Sequence, residues 1–265
     1  MATKAVTIAL AAFGGVVLLG GGTAAAVAGV HAIAPTSEAT ATDVRGVQSL
    51  DARVDGAELR VEFHDGDDAR LRAERGSTDG WTLRTDGGEL QVRSPQRGWF
   101  GWFTPDVFGD DWFGEGDSVT LLLPESLAGI DADLTLNAGA LSADGRFGEL
   151  DADLSAGRMD LNGSADSLEL SLSAGAAGVT LDGVDEASFD VSAGRADAEL
   201  TGSAPSEVSV EVSAGQLNLT LPEETYDLRQ EVSAGSLNSE LRQDPDSANV
   251  VRVSVSAGTV NLREG

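Results

Sequence analysis

The stretch LSAGRMDLNG, residues 154–163, holds a core, Ser-Ala-Gly, that occurs six times in the chain, with Asn137-Ala138-Gly139 as a near copy upstream. The glycines of this core are Gly139, Gly157, Gly175, Gly194, Gly215, Gly235 and Gly258, spaced by 18, 18, 19, 21, 20 and 23 residues. A period in this range marks a repeat whose copies stack on one another, because one copy alone cannot bury its apolar side.

The pattern around the glycine defines the repeating unit. Three residues before it stand Leu136, Leu154, Leu172, Val191, Val212, Val232 and Val255, apolar in every copy. Five before it stand Leu134, Ala152, Leu170, Phe189, Val210, Gln230 and Val253, with Gln230 the exception. Leu141, Met159, Leu217, Leu237 and Val260 follow two residues after it, and Ala143, Leu161, Leu219 and Leu262 four after it. Alternation with period two on both sides of a constant glycine predicts two β-strands joined at a corner. Gly suits the bend because it takes a positive φ, Ala is expected to fit inside it, and the Ser hydroxyl to bond to local backbone.

The expected fold is all-β: a single-chain β-solenoid, helix-like in its coiling, of about seven rungs and roughly 30–35 Å tall at about 4.8 Å per rung. The turns NGSADS, DGVDEA, TGSAPSE and PEETYD vary in length, as loops allow. A twisted β-sandwich of hairpins is the alternative; it accounts for the variable turns but not for the constant corner.

Three residues after each glycine comes an outward column: Ser142, Asp160, Gly178, Asp197, Asn218, Asn238 and Asn261. We read Asp160, Asp197, Asn218, Asn238 and Asn261 as a structural ladder in which the consecutive amides bond to one another up the stack. No metal site is assigned, because neighbouring carboxylates repel and the glycine-rich calcium repeat is missing. The paired Asp of DADLT (131–135) and DADLS (151–155) is the weak Ca²⁺ alternative. No catalytic residue and no cofactor is expected.

Residues 46–123 form an N-terminal part of the head and residues 124–265 the repeats. Within 46–94 the alternating runs AELRVEF, ARLRAE, WTLRT and GELQVR, separated by HDGDD, RGSTDG and DGG, predict β-hairpins. His64 with Asp65, Asp67 and Asp68 is explained by turn chemistry rather than by a metal. Residues 97–117 then gather three of the four Trp and four of the eight Phe. So many aromatics among Gly and Asp cannot follow strand alternation. They cover the open end of a repeat array, or they present a contact for a partner or the membrane interface through Trp99, Phe100, Trp102, Phe103, Phe108, Trp112 and Phe113.

Residues 5–34 contain no Asp, Glu, Lys or Arg, a run long enough to cross a bilayer. A transmembrane helix over residues 1–34 is expected, with AVA ending at Ala28 and AIA ending at Ala34 as sites for the alternative, a cleaved signal peptide. Lys4, the one lysine of the chain, precedes this run, which puts the N-terminus in the cytoplasm and the head outside. Residues 35–45 read as a short linker. Asp and Glu outnumber Lys and Arg 44 to 17, a net charge of −27, which excludes nucleic acid as a partner. The chain has no cysteine, hence no disulfide, thiol nucleophile or lipidated cysteine.

The charge-free N-terminal run, the SVTLLLPESL strand (118–127) and the iterated LSAG coils together resemble the bacterial putative-adhesin family of β-strand-repeat surface proteins, a domain of unknown function. The resemblance spans about residues 46–262 and implies a surface β-solenoid with no defined activity. The functional expectation is a membrane-anchored, extracellular, non-enzymatic module, structural or adhesin-like, with a cell-envelope glycan or protein as partner. Two alternatives are a polysaccharide-active β-helix enzyme and an envelope-stress sensor acting through a membrane partner. A homo-oligomer is a further option, formed through the last repeat in the sequence, VSVSAGTVNLREG, whose strand edges are expected to be open.

Overall fold

The computed structural model describes residues 40–95 and 117–265, all within the compact unit Ser37–Gly265. Among the described residues the regular structure is nineteen strands, β1 to β19 in chain order, and one short 3-10 turn, Glu125–Leu127. Two strands are long enough to pass through a corner: β2 (Ser49–His64) and β7 (Ile130–Leu154).

Each repeat is a pair of strands flanking the Ser-Ala-Gly corner. The pairs are β9 (Ser167–Leu172) with β10 (Ala176–Asp182), β11 (Glu186–Val191) with β12 (Arg195–Thr201), and β13 (Glu207–Val212) with β14 (Gln216–Leu221). Further along come β15 (Thr225–Val232) with β16 (Ser236–Ser239), and β18 (Val250–Val255) with β19 (Thr259–Glu264). β7 supplies one whole rung and the first strand of the next, which β8 (Arg158–Ser164) completes.

Strands before the corner pair in parallel in one series, β2, β7, β9, β11, β13, β18 and β15. Strands after it pair in parallel in a second series, β2, β7, β8, β10, β12, β14, β19 and β16. The two series face each other across a core of alternate side chains, among them Leu154, Leu172, Val191 and Val212 from one and Met159, Leu161, Leu217 and Leu219 from the other. The architecture is therefore a parallel, solenoid-like stack with two long sides.

The stacking order departs from the sequence order. β18 lies between β13 and β15, and β19 between β14 and β16, so the Gly258 rung is inserted between the rungs of Gly215 and Gly235. The physical reason lies in the interior positions. The Gly258 rung offers Val251, Val253, Val255, Val260 and Leu262, all buried, and tolerates a neighbour on each side. The Gly235 rung offers Gln230 and Ser239 at the equivalent places. Enclosing the Gln230 amide among valines would leave it unbonded, at about 1–3 kcal/mol. Placed last, it stays in water.

This order corrects the expectation that the Gly258 repeat ends the stack with open edges: it is covered on both sides, and the terminal rung is that of β15 and β16.

The N-terminal part corrects a second expectation. AELRVEF is not half of a hairpin; it lies within β2, a full rung bent at Gly56 (φ 71°). β5 (Glu89–Arg93) and β6 (Ser118–Pro124) add parallel to β2, one on each side, as a further rung. β3 (Asp68–Arg75), carrying ARLRAE, pairs antiparallel with β6 and not with β2. WTLRT and GELQVR do form a hairpin, β4 (Thr82–Asp86) with β5. β1 (Thr40–Asp43), inside the stretch expected as linker, pairs antiparallel with β3. Strands β1, β3 and β4 thus close the entry end of the stack, and no domain boundary falls near residue 124.

Among the described residues no helix is long and apolar enough to cross a membrane; the helix expected over residues 1–34 lies outside them.

Candidate functional site

Four features of the stack could meet a partner: the corner edge, the polar ladder, an acidic column and the terminal rung.

Along the corner edge the backbone bonds from rung to rung. Ser173 N donates to Leu154 O (2.8 Å), Ser192 N to Leu172 O (2.9 Å) and Ser256 N to Val212 O (2.9 Å), while Ala257 N donates to Ser213 O (2.9 Å). Gly157, Gly175 and Gly194 have positive φ, as does Gly139. Gly215, Gly235 and Gly258 do not, and are glycine for lack of room: a Cβ on Gly258 would strike Gly215 O and the Val212 side chain.

Two details of the expected corner are corrected. The corner alanines Ala156, Ala174, Ala193, Ala214 and Ala257 point to solvent, not into the bend. The corner serines, also exposed, are held by their backbone amides, with no side-chain hydrogen bond among the described residues. What packs under the corner is the leucine or valine that precedes it.

The polar ladder runs in the order Asp197, Asn218, Asn261, Asn238. Asn238 Nδ2 donates to Asn261 Oδ1 (2.9 Å), Asn261 Nδ2 to Asn218 Oδ1 (2.7 Å) and Asn218 Nδ2 to Asp197 Oδ1 (2.6 Å). Arg195 closes the chain with two bonds to Asp197 (2.6 and 2.8 Å). The Arg195 hydrogen bond, with a smaller one from Asn218, holds the Asp197 carboxyl below the ordinary carboxylate range. Asp160 stands apart, separated from Asp197 by the Gly178 rung, and bonds to Arg158 (2.7 and 2.9 Å). The ladder satisfies itself internally, which makes it a device for holding register.

On the other long side, Asp51, Asp133, Asp151 and Glu169 fall in one column across successive rungs. Burial would raise Asp51, but Arg93, with bonds of 2.6 and 2.5 Å, and the charge of Arg53 outweigh it and lower its carboxyl. Burial, then the charge of Asp51, raises Asp133. Burial, then Glu149 and Glu169, raises Asp151. The column was invisible in the repeat alone, because Asp51 is separated from Asp133 by the inserted β3–β6 segment. Asp131 Oδ1 is engaged by Glu149 N (3.0 Å). Among the described residues no group of His, Asp or Glu is arranged to hold a metal ion. His64 Nε2 contacts Asp68 O (3.1 Å) in its turn.

The aromatic residues Trp99, Phe100, Trp102, Phe103, Phe108, Trp112 and Phe113 lie outside the described residues. The ends of their segment are placed at the corner of β2. Ser94 N donates to Arg53 O (3.0 Å), Ser94 Oγ accepts from Asp55 N (2.7 Å), and Glu58 N donates to Asp117 O (3.1 Å). Ser94 and Asp117, the described residues nearest that segment, therefore stand beside the corner of β2.

The terminal rung is thinly covered. Val232, in the same interior column as Val212 and Val255, is 41% exposed against 0% and 1% for those two. Gln230 is exposed, and Leu228 and Leu237 are only partly buried. At the far end of this rung Tyr226 is fully buried, donates its hydroxyl to Pro222 O (2.8 Å), and has a pKa pushed up to about 12 by burial.

No family model matches the sequence, and no curated protein matches it. Solved structures do. A "putative cell adhesion protein" from Clostridium sporogenes is similar at 11% identity over 86% of this chain and 98% of its own, with a TM-score of 0.37. A "putative adhesin" from Parabacteroides distasonis is similar at 11% identity over 84% of this chain and 95% of its own, with a TM-score of 0.43. A "putative adhesin" from Bacteroides fragilis has the same identity and coverages and a TM-score of 0.35.

Proposed function

We propose that this protein is an extracellular, non-enzymatic surface module of adhesin-like type, anchored in the cell membrane by residues 1–34. One observation carries the reading: β1, where the described chain begins, and the terminal rung of β15 and β16 stand at opposite extremes of the stack. Between these two ends the stack rises about 4.8 Å per rung crossed. The polar sides, bonded within themselves, act as a rigid spacer. The aromatic residues Trp99, Phe100, Trp102, Phe103, Phe108, Trp112 and Phe113 are the proposed contact for the membrane interface or for an envelope glycan or protein.

The chain lacks cysteine, so a single Ser173→Cys on the exposed corner edge gives a clean probe. In intact cells a membrane-impermeant maleimide should label it. Labelling only after lysis would sink the extracellular reading. The same protein incubated with cell-wall glycans should leave their chain length unchanged; shortening would make it an enzyme.

A further inference from the structure

We infer that the terminal rung is a docking edge for a second copy of this chain, joined to it end to end by antiparallel pairing of β15 with β15 about a two-fold axis at Gln230. The inference rests on edge geometry alone and stands whether or not the chain is anchored.

The direction of the free backbone groups follows from the bonds already made. Asp227 N donates to Asn249 O (2.8 Å) and Ser233 N to Val255 O (2.9 Å), so odd-numbered residues of β15 face β18. Because successive residues of a strand point their N–H and C=O to opposite edges, Leu228, Gln230 and Val232 offer theirs to the open side. This edge has a defined start: Tyr226 O already accepts from Asp244 N (3.0 Å), where β17 (Arg242–Gln243) pairs with Thr225 and Tyr226. It ends where the corner begins at Ser233. Among the described residues three are left without a partner on this side, with Gln230 in the middle.

A two-fold axis through that middle residue sets one register. Gln230 faces Gln230 of the second copy, and Leu228 faces Val232; each facing pair exchanges two N–H···O bonds. The side chains then agree on both surfaces. Leu228 and Val232, left half-covered at the end of the core, cover each other, and the Gln230 amides bond across the axis. Arg229 falls opposite Glu231 of the second copy, at the non-hydrogen-bonded positions where side chains approach most closely. Centring the pairing on Leu228 instead would also oppose unlike charges, Arg229 to Asp227, but it needs the edge of Tyr226 that β17 occupies.

The polar Gln230 in an otherwise apolar column thus has a use. It keeps the rung from being buried within its own stack, and it specifies register at the junction, as a single buried amide does between helices.

The test uses the full chain in detergent, followed by sedimentation. Wild type is expected to be a dimer. Arg229→Glu and Glu231→Arg, both at exposed side chains, should each weaken association more than about tenfold by setting like charges against each other twice per dimer. Mixing the two variants should restore it as a heterodimer, because each Glu then meets an Arg. Val232→Lys, also exposed, should give a monomer, and circular dichroism should show all three variants folded. A monomeric wild type, a dimer indifferent to these substitutions, or a mixture that stays monomeric would each overturn the inference.

Discussion

The corner glycine shows how one residue type serves two physical ends. At Gly175 a positive φ and the closeness of Gly157 O both forbid a side chain, whereas at Gly258 only the closeness does. Position by position the same letter therefore reports either strain relief or a stacking distance. Charge is likewise decided by neighbours. Asp151 and Asp197 are both aspartates pointing outward from the stack, yet one carboxyl is raised and the other lowered. A raised native pKa means the folded state binds the proton more tightly, so this stability term is present below the unfolded value of about 3.9 and is lost as pH rises through the native value. At neutral pH the charge of Asp151 is a net cost. Asp151→Asn should therefore raise the melting temperature at neutral pH, by an amount equivalent to about 0.2–1 kcal/mol for one like-charge cross-strand contact. Thermal melts should show that gain vanishing near pH 3, where wild type is protonated as well. A gain equal at both pH values would mean that packing, not charge, is responsible.

At the scale of the strand, the alternation and the corner were legible because both are local: interior Leu154, Met159 and Leu161 are where period two puts them. Rung order was not, because parallel pairing between repeats is non-local and any repeat can in principle stack on any other. The signal was nonetheless present. Gln230 breaks the column five residues before the glycine, and Ser239 breaks the one four residues after it. Two polar residues at interior places mark a rung that belongs at an end. β2 escaped notice for a related reason: its corner, Asp55-Gly56-Ala57, lacks the repeated letters, and the β3–β6 segment separates it from the rung it supports. The inserted order can be checked with thiols, since the chain has none of its own. Ser209 and Arg252 are paired neighbours on β13 and β18, whereas Arg229 lies one rung further. Ser209→Cys with Arg252→Cys should be joined by a short thiol cross-linker matched to about 5 Å. Ser209→Cys with Arg229→Cys should not be. Efficient joining of the second pair would restore sequence order.

For the whole molecule, the two proposals combine into a mechanism of contact that neither supplies alone. On the proposed reading the chain is held at a cell surface and carries a self-complementary edge on its terminal rung, so copies on two facing surfaces would meet through that edge. The net charge of −27 opposes approach at long range, and salt shortens that repulsion to about 8–10 Å at physiological ionic strength. Contact is then left to the edge, where Arg229 and Glu231 are matched. Cells displaying the wild-type chain should clump at physiological salt and disperse when salt is lowered. Cells displaying Arg229→Glu alone, or Glu231→Arg alone, should remain single, and the two populations should clump only when mixed. The outcomes separate the two proposals. A dimer in solution without clumping leaves the tip junction standing and removes the outward-facing anchored arrangement. Clumping that ignores both substitutions removes the tip and shifts attention to the aromatic insertion between Pro95 and Asp117 as the adhesive element.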